Sequence, residues 1–379
     1  MIPVSRTPGF AFQVTATDDR ARTGTLTTPH GEVPTPTFMP VGTQGSVKTL
    51  TPAEVEATGA RIVLGNTYHL WLRPGPEIVA RAGGLHAFTR WPGVMLTDSG
   101  GYQAFSLADR RTRSEDGFVF RSHLDGSRRA LSPEVAMQVQ GALGADIAMQ
   151  LDVCPPGDAP AADIEEACRI TTRWAVRCLA AKDPRQALFG IVQGGTDPKL
   201  RRAHADELGA MPFDGLALGG FSVGEPIASM HEVVSEVAAA LDPSRPRYLM
   251  GVGTPRDLLV AIAAGVDMFD CVLPTRNARN GQALTQTGRI IIKQARYRED
   301  FSPLDPTCAC PACAAGYSRA YLRHLYLAGE ILALRLFSEH NLHLYGRLVR
   351  EARAAIGSGT FKAFARAWAR AGTAEAPDA

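Results

Sequence analysis

Eight short apolar runs recur along this chain, and each is followed by a stretch with the periodicity of a helix. The runs span residues 37–42, 62–65, 94–98, 147–152, 187–193, 215–220, 248–253 and 268–272. Regular alternation of strand and helix is typical of α/β proteins, and eight repeats predict a (β/α)8 TIM barrel. A doubly wound open sheet is the alternative that the pattern alone leaves open.

The stretches between the runs carry signals for the start of a helix. Thr51 stands directly before Pro52 and three residues before Glu54, a combination that predicts a capping box. Ser132 precedes Pro133 in the same way. We therefore expect helices to begin at residues 52 and 133.

Three segments fall outside this alternation. Residues 1–37 alternate Thr, Val and Phe between turn residues, which predicts antiparallel hairpins. Residues 110–126 are polar and charged, and we expect an insertion after the third strand, with a hairpin around residues 117–121. Two amphipathic stretches, 318–340 and 342–370, predict helices near the carboxyl terminus.

The composition is that of a soluble globular enzyme. Hydrophobic residues make up 45% and charged residues 21% of the 379 residues. No apolar run reaches the length of a membrane span, and the first residues lack a secretory signal, so we expect a cytoplasmic protein. The net charge is only +2, so a nucleic-acid partner would need a local basic patch.

Polar side chains stand where the apolar runs end. They are Asn66, Asp98, Asp152, Gln193 and Asp270. In barrel enzymes the active site lies at the carboxyl-terminal ends of the strands. The sequence therefore predicts an active site at this face of the barrel.

Two of these carboxylates, Asp98 and Asp270, are candidate catalytic groups. Asp98 is followed by Gly100 and Gly101, which would let the backbone approach a ligand closely. Asp270 ends an apolar run, where an ionised carboxylate is costly unless it has a use. Two carboxylates on one face can divide the nucleophile and acid/base roles. The alternative for either residue is a structural helix cap or salt bridge.

Other residues of this face suit a purine base. Asp152 could accept two parallel N–H bonds from a guanine edge, Gln193 offers an amide, and Gly220 offers a backbone N–H. Tyr102 and Met250 could hold the ring between them. Taken singly, each of these residues is more often structural, and Met250 in particular would usually belong to a core.

A Cys-x-Cys-x-x-Cys cluster predicts a zinc site. Its thiols are Cys308, Cys310 and Cys313. Seven cysteines with one tight cluster favour metal ligation in a reduced compartment over disulfides. His340, 27 residues beyond Cys313, is the best candidate for the fourth ligand, and His324 and His343 are alternatives. A Cys3His set would be closed and structural; the alternative is three reduced thiols.

A basic stretch surrounds this cluster. Eight Lys or Arg residues stand against three acidic residues between positions 275 and 325, with Tyr297 and Tyr317 interleaved. Such a stretch is typical of a surface that contacts phosphates. The residues that we expect to contact RNA are Arg276, Arg279, Lys293 and Arg296. The alternative is a solvated face of helix and loop.

Several motifs, in one order along nearly the whole chain, resemble those of the bacterial tRNA-guanine transglycosylases. They occupy residues 41–48 (VGTQGSVK), 64–70 (LGNTYHL), 97–103 (TDSGGYQ), 219–225 (GGFSVGE), 268–276 (MFDCVLPTR) and 280–282 (NGQ), together with the Cys/His set. The resemblance implies a zinc-containing (β/α)8 barrel that exchanges guanine at the anticodon wobble position, position 34 of tRNA, for preQ1 in queuosine biosynthesis. It also implies tRNA partners with GUN anticodons and a homodimer.

The resemblance assigns roles to single positions. By it, Asp270 is the nucleophile that forms a ribosyl-aspartate intermediate, and Asp98 is the general acid/base. The substrate-binding positions are Asp152, Gln193, Gly220, Phe221, Tyr102, Met250, Asn66 and Cys154, with Phe221 acting through its backbone carbonyl. The zinc ligands are Cys308, Cys310, Cys313 and His340, which would hold one structural Zn2+.

Two positions bear on the base that is used. Phe221 stands where the family usually has Leu, so we expect the packing of the pocket to differ and a backbone contact to survive. Cys154 and Val223 resemble the bacterial, preQ1-using type rather than the queuine-using type, which tends to have Val and Gly there.

The predicted organisation has five parts. They are hairpins at 1–37, the catalytic barrel at 38–273, a zinc-binding and RNA-contacting insertion at 274–341, a helical segment that closes the barrel at 342–370, and a tail at 371–379. A nucleoside hydrolase or glycosidase would also need two carboxylates, and a non-catalytic tRNA-binding subunit could share the fold. The basic insertion argues against the first alternative, and the intact Asp98 and Asp270 argue against the second.

Overall fold

The computed structural model describes residues 7–106 and 111–373. In chain order its strands are β1 (Ala11–Asp18), β2 (Ala21–Thr28), β3 (Gly31–Thr35), β4 (Thr37–Met39), β5 (Val41–Gly42), β6 (Ile62–Gly65), β7 (Val94–Thr97), β8 (Arg111–Ser114), β9 (Gly117–Arg121), β10 (Arg128–Leu131), β11 (Ile147–Met149), β12 (Ala187–Val192), β13 (Gly215–Leu218), β14 (Arg247–Leu249), β15 (Met268–Asp270), β16 (Gln282–Thr285) and β17 (Gly288–Ile291).

The helices surround these strands. They are α1 (Pro52–Ala57), α2 (Thr67–Leu72), α3 (Pro76–Arg81), α4 (Gly84–Thr89), α5 (Gly101–Ser106), α6 (Pro133–Leu143), α7 (Ala161–Ala181), α8 (Pro198–Gly209), α9 (Ile227–Ala240), α10 (Pro255–Ala263), α11 (Leu273–Arg279), α12 (Pro311–Ala314), α13 (Arg319–Leu327), α14 (Ile331–Gly357) and α15 (Phe361–Thr373), with a 3-10 turn at Ala295–Tyr297.

The central sheet is parallel and returns to the run on which it began. Its order is β4-β15-β14-β13-β12-β11-β7-β6-β5. The end strands β4 and β5 belong to one run, interrupted at Pro40, which has no N–H for a ladder bond. The eight predicted runs therefore form one closed ring, so the (β/α)8 barrel is confirmed and the open sheet is wrong.

The predicted runs begin correctly to within one residue but mostly extend too far. For example, β11 ends at Met149 although the run was expected to reach 152, and β14 ends at Leu249 rather than at 253. Beyond these ends the backbone turns into loops, and Gly251 adopts a left-handed φ of 69° that leaves the strand conformation. Asp98, Asp152 and Gln193 thus lie just after their strands, where side chains can converge.

The amino-terminal strands β1, β2 and β3 form an antiparallel sheet, as predicted. Phe10, Phe12, Leu26 and Val33 from this region pack into one apolar cluster with residues of the barrel interior. The ring of Phe10 meets that of Phe189 edge-on at 5.9 Å. This sheet therefore covers the end of the barrel at which the strands begin and leaves the opposite end open.

The predicted helix starts at residues 52 and 133 are confirmed. Thr51 caps α1, and its capping box with Glu54 is complete. Ser132 caps α6 by accepting a hydrogen bond from the N–H of Val135 at 3.2 Å. The helices bury their apolar faces against the outer faces of the strands in the largest core cluster.

The insertion after β7 differs from the expected hairpin. Strands β8, β9 and β10 form a three-stranded antiparallel sheet. The third strand, β10, pairs through Leu131 with Phe118 and lies beyond the predicted end at 126. Arg110, with which the predicted insertion begins, lies outside the described residues.

The predicted division between helices at 340 and 342 is wrong. α14 runs without a break from Ile331 to Gly357 and packs against α11, α12 and α13 as well as against β4 of the barrel. The breaks fall instead at Gly329 and Gly359, whose φ angles of 77° and 71° are left-handed and end the preceding helices. Across the described ranges, no helix combines the length and apolarity needed to span a membrane.

Candidate active site

A cavity of about 650 Å³ opens at the carboxyl-terminal ends of the barrel strands. Ten of the predicted site residues line it: Asn66, Asp98, Tyr102, Asp152, Cys154, Gly220, Phe221, Met250, Asp270 and Arg276. They come from the loops after β6, β7, β11, β13 and β14, from the end of β15 and from α5 and α11. The folding of separate strands into one ring is what brings them together.

Asp98 follows β7 and is held by the loop after β6. Its carboxylate accepts hydrogen bonds from Asn66 Nδ2 at 2.5 Å and from the N–H of Thr67 at 2.8 Å. Asn66 cannot turn away, because its Oδ1 caps α2 by accepting the N–H of His69. Burial, reinforced by the negative charges of Asp270 and Asp152, raises the pKa of Asp98 to about 7, although the N–H groups of Thr67 and Gly100 oppose the rise.

Asp270 is the last residue of β15. Its Oδ1 accepts the hydroxyl of Tyr248 at 2.6 Å and the N–H of Gly251 at 2.8 Å. Burial raises the pKa of this carboxyl, and these two donors oppose the rise. None of the ion pairs of the described residues includes Asp98 or Asp270. Both carboxylates therefore face the cavity without a cationic partner.

Asp152 forms the floor of a polar subsite together with Gln193. Gln193 Nε2 donates to Asp152 Oδ2 at 2.7 Å, and Ser99 Oγ approaches Oδ1 at 3.4 Å. Burial raises the pKa of Asp152 to about 6. Gln193 is fully buried behind Asp152 rather than on the cavity wall, and its Oε1 has no partner among the described residues.

The loop after β13 forms one wall of the cavity. Gly220 has a left-handed φ of 67°, and a Cβ there would lie 2.3 Å from Gln193 Oε1, so only glycine fits. Arg201, fully buried, donates to the carbonyl of Gly219 at 2.8 Å and lies 3.8 Å from the centre of the Phe221 ring. The ring of Phe221 thus packs against the guanidinium of Arg201 and is buried from solvent.

Tyr102, Met250 and Cys154 complete the wall. Tyr102 on α5 is 47% exposed and Met250 is partly buried, so both offer surface to a ligand. Cys154 is only partly buried, and burial raises the pKa of its thiol to about 12. A neutral thiol at this position contributes shape and no charge.

A second set of predicted residues assembles away from the cavity. It consists of Cys308, Cys310, Cys313 and His340, all buried, with ligand atoms within 4.8 Å of one another. His340 Nδ1 lies 3.4 Å from the sulfurs of Cys310 and Cys313, and its Nε2 lies 2.9 Å from the carbonyl oxygen of Leu284. That carbonyl can only accept, so Nε2 carries the proton and Nδ1 is free to ligate. This group can hold one metal ion.

The predicted RNA contacts are divided by the structure. Arg276 on α11 is exposed and lines the cavity, whereas Arg279 is partly buried and donates to the carbonyl of Thr275 at 2.9 Å. Lys293 and Arg296 are exposed on the segment that carries the Cys3His group. Three of the four thus present charge to solvent, one of them at the cavity, and Arg279 presents less.

Several residues of the site were not predicted as part of it. They are Thr67, Ser99, Arg201, Glu225 and Tyr248. Tyr248 carried a usable signal, because it stands two residues before Met250 and period-two alternation places both on the inner face. Glu225 ends the family motif at 219–225, whereas Arg201 carried no signal, since its role depends on loop backbone that the sequence does not specify.

Comparison with known proteins finds one family over nearly the whole chain. The sequence profile of the family described as queuine tRNA-ribosyltransferase matches residues 18–374. The queuine tRNA-ribosyltransferase of Sorangium cellulosum is 80% identical over 365 residues, which cover 96% of this chain and 93% of that protein. Proteins of the same name from Solidesulfovibrio magneticus and Cereibacter sphaeroides are 54% and 51% identical, and each alignment covers at least 94% of this chain and 96% of the relative.

Proposed function

The chain belongs to the queuine tRNA-ribosyltransferase family and is a tRNA-guanine transglycosylase, and we propose that it exchanges guanine at the wobble position (position 34) of tRNA for preQ1. PreQ1 is 7-aminomethyl-7-deazaguanine. The observation that carries the proposal is the pair Asp98 and Asp270, which line one cavity without an ion-pair partner among the described residues.

In the first step Asp270 acts as the nucleophile. One of its oxygens forms a bond to ribose C1′ while the bond from C1′ to guanine breaks, and the electron pair leaves with the base. Charge that develops at C1′ is stabilised by the adjacent carboxylate. The departing base takes a proton from Asp98, whose pKa of about 7 leaves a large protonated fraction at neutral pH.

In the second step the incoming base replaces Asp270. PreQ1 gives a proton to Asp98, its nitrogen bonds to C1′, and the electron pair of the C1′–oxygen bond returns to Asp270. Two displacements at one carbon retain its configuration. Asp98 therefore ends the cycle protonated, and no external acid or base is consumed.

Recognition of the base falls to the subsite around Asp152. An ionised Asp152 can accept two N–H groups of a guanine edge, and the N–H of Gly220 can donate to the carbonyl oxygen of the base. Gln193 contributes from behind, because its Nε2 donates to Asp152 and holds that carboxylate in place. Adenine would leave these buried groups unpaired, which predicts strong discrimination. Tyr102 and Met250 hold the ring, and the carbonyl of Phe221 receives the aminomethyl group of preQ1. The target base must leave the anticodon stack to reach this depth.

The basic surface beside the cavity binds tRNA, with GUN anticodons as the substrates. Arg276, Lys293 and Arg296 are exposed and suit contacts with phosphates. The double charge reversal of Lys293 and Arg296 to Glu should raise KM for tRNA about tenfold and flatten its salt dependence. Lys199→Glu, at an exposed position of α8, is the matched control and should leave KM unchanged.

We propose that the Cys3His group holds one structural Zn2+. Three thiolates and one imidazole form a closed tetrahedral set that suits zinc and leaves no position for substrate. The ion would tie α12 to α14 and so join the 274–341 segment to the barrel. Elemental analysis should find one zinc per chain, and Cys310→Ser should lose it and lower the unfolding temperature, whereas Cys168→Ser on α7 should keep the metal.

The remaining expectations concern localisation, oligomeric state and domain organisation. We propose a cytoplasmic homodimer, with the five-part division at residues 37, 273, 341 and 370 as its organisation. Because α14 crosses residue 341, the insertion and the closing helix should unfold together rather than separately. The molecular mass in solution and limited proteolysis test these two statements.

Base exchange with labelled guanine tests the proposed reaction. The enzyme should incorporate guanine into tRNA, and preQ1 should compete more strongly than queuine. Asp270→Asn should abolish both incorporation and the covalent tRNA adduct on a denaturing gel. Release of guanine without incorporation would instead indicate a hydrolase, and unchanged exchange by Asp270→Asn would remove Asp270 from the mechanism.

A further inference from the structure

Tyr248 is a fully buried tyrosine whose hydroxyl reaches the Asp270 carboxylate. It lies on β14, which pairs in parallel with β15. Its hydroxyl donates to Asp270 Oδ1 at 2.6 Å, and the N–H of Gly251 donates to the same oxygen at 2.8 Å. Within residues 7–106 and 111–373, no hydrogen bond reaches Oδ2. The two oxygens of this carboxylate are therefore unequal, since one is held and the other is open.

We propose that Tyr248 is a positioning residue for base exchange, which holds Asp270 so that Oδ2 attacks C1′ and which stabilises the carboxylate as it leaves the sugar. This inference rests on the proposed role of Asp270 as the nucleophile. It assigns to Tyr248 no direct contact with tRNA or with either base.

The position of Tyr248 cannot adjust to a moving carboxylate. It belongs to the buried apolar cluster of the barrel interior, which also includes Met149, and its backbone is registered against β15 at Met268. A side chain locked in this way fixes its partner to within a narrow range of positions. Asp270 thus presents Oδ2 to the cavity before substrate arrives, which lowers the cost of orienting the nucleophile.

The hydroxyl can serve only as a donor here. Burial and the neighbouring charge of Asp270 raise the pKa of Tyr248 well above its usual value, so the phenol keeps its proton at every working pH. A hydrogen bond to an ionised acceptor is about twice as strong as one between neutral groups. Tyr248 therefore favours the ionised form of Asp270 over the protonated form.

The same preference acts on the covalent intermediate. When Oδ2 bonds to C1′, Oδ1 becomes the carbonyl oxygen of an ester, a weaker acceptor than a carboxylate oxygen. When the second base displaces Asp270, the electron pair of the C1′–Oδ2 bond returns to the carboxylate, and the donors on Oδ1 regain a charged acceptor. Tyr248 therefore favours breakdown of the intermediate and keeps it from accumulating.

Tyr248→Phe removes one hydroxyl and tests both consequences. The acid limb of the pH profile of kcat/KM should shift to higher pH by about one unit, because the ionised form of Asp270 loses a hydrogen-bond donor. At about pH 8.5, above that limb, the fraction of enzyme trapped as a tRNA adduct in the absence of free base should rise severalfold. KM for guanine should not change, because the Asp152 subsite is not touched.

Tyr345→Phe is the matched control. Tyr345 is also a buried tyrosine, and its hydroxyl donates to the carbonyl of Gly253 at 2.5 Å without touching Asp270. In Tyr345→Phe, the acid limb of the pH profile of kcat/KM should stay where it is in the unmodified enzyme. If Tyr248→Phe leaves both the limb and the adduct unchanged, or if the two variants shift the limb equally, the proposal is overturned.

A second variant covers the case in which Tyr248→Phe does not fold. Fluorotyrosine placed at position 248 keeps every hydrogen bond and makes the phenol a stronger donor, so the acid limb should move down rather than up. An upward or absent shift would contradict the proposal. Failure of the unmodified enzyme to form any adduct is a separate outcome, because it removes Asp270 as the nucleophile and the inference with it.

Discussion

Among the described residues, the buried aspartates that flank the barrel strands have cationic partners at one end of the barrel and none at the other. Both cases occur within the four residues 267–270 around β15. Asp267 stands directly before the strand, is fully buried, and is bound by the guanidinium of Arg22 through two hydrogen bonds of 3.0 and 2.5 Å. Asp270 ends the same strand and receives only a hydroxyl and a backbone N–H. One carboxylate is neutralised by a cation and the other is not.

The same contrast holds on other strands. Asp146, before β11, accepts hydrogen bonds from His30 at 2.7 Å and His86 at 3.1 Å, and Asp214, before β13, lies 3.5 Å from Lys182. At the open end, Asp98 and Asp152 have no ion pair among the described residues. Charges that serve stability are paired, whereas charges left unpaired in a cavity are where chemistry is expected.

The largest expected effect distinguishes function from stability at the open end. Asp270→Asn keeps an oxygen for Tyr248 and Gly251 and places its amide where Oδ2 stands, so the fold should be retained. Base exchange should fall by at least about a thousandfold, because the nucleophile is lost. The free energy of unfolding at neutral pH should stay equal or rise, since an uncompensated charge is removed. Labelled-guanine incorporation and urea denaturation measure the two quantities.

Asp267→Asn is the matched change at the closed end and should give the reverse result. The NH2 group of the new asparagine must face a donor, which is Arg22 Nε, Arg22 Nη2 or the N–H of Arg247, and two donors cannot form a hydrogen bond. The charge of Arg22 is then left buried and unpaired. Stability should fall by about 3–5 kcal/mol, while kcat per folded molecule stays within about twofold. Loss of activity without loss of stability would break the comparison.

The pH dependence of stability sharpens the comparison further. The pKa of Asp98 is raised from 3.8 to about 7 by burial and by neighbouring negative charges, so the folded state binds its proton more tightly than the unfolded state does. Stability therefore falls as pH rises from about 4 to 7 and then levels. Asp98→Asn should remove up to about 4 kcal/mol of this decline. Urea denaturation at about pH 4, 6 and 8 measures how the free energy of unfolding changes with pH, and this slope is independent of any constant difference in stability between the two proteins. Equal slopes for the unmodified enzyme and Asp98→Asn would show that Asp98 titrates normally.

How much of this could be read from the sequence depends on the range of the interaction. The strand starts, the caps at Thr51 and Ser132, and the Cys cluster rest on neighbours along the chain, and they were predicted correctly. The cavity-lining positions were identified by their places after the apolar runs and by the family motifs.

What could not be predicted joins residues that are distant along the chain. The pairing of Tyr248 with Asp270 depends on the register of β14 against β15, and that of Arg22 with Asp267 spans 245 residues. The continuity of α14 through residue 341 was missed because the amphipathic pattern does not reveal that one helix packs on both the insertion and the barrel. Such features are set by packing, and they differ between sequences with the same periodicity.

The smallest expected effect concerns His30 at the closed end. Its ring is 43% exposed, stacks on His86 at 3.5 Å and donates to Asp146. Burial acts to raise the pKa of Asp146, but the hydrogen bonds from His86, His30 and the N–H of Met95 outweigh it and leave this pKa lowered. A lowered pKa contributes stability above about pH 4 that is lost as pH falls through the folded-state value. His30→Ala should therefore cost about 1 kcal/mol at neutral pH, and the cost should shrink at an acidic pH below the lowered pKa of Asp146, where this carboxyl is protonated in both proteins. Urea denaturation at the two pH values measures this cost, and base exchange at neutral pH is the control. A drop in base exchange would mean that the closed end also contributes to catalysis, so that pairing of the aspartates would not separate the stabilising end of the barrel from the catalytic end.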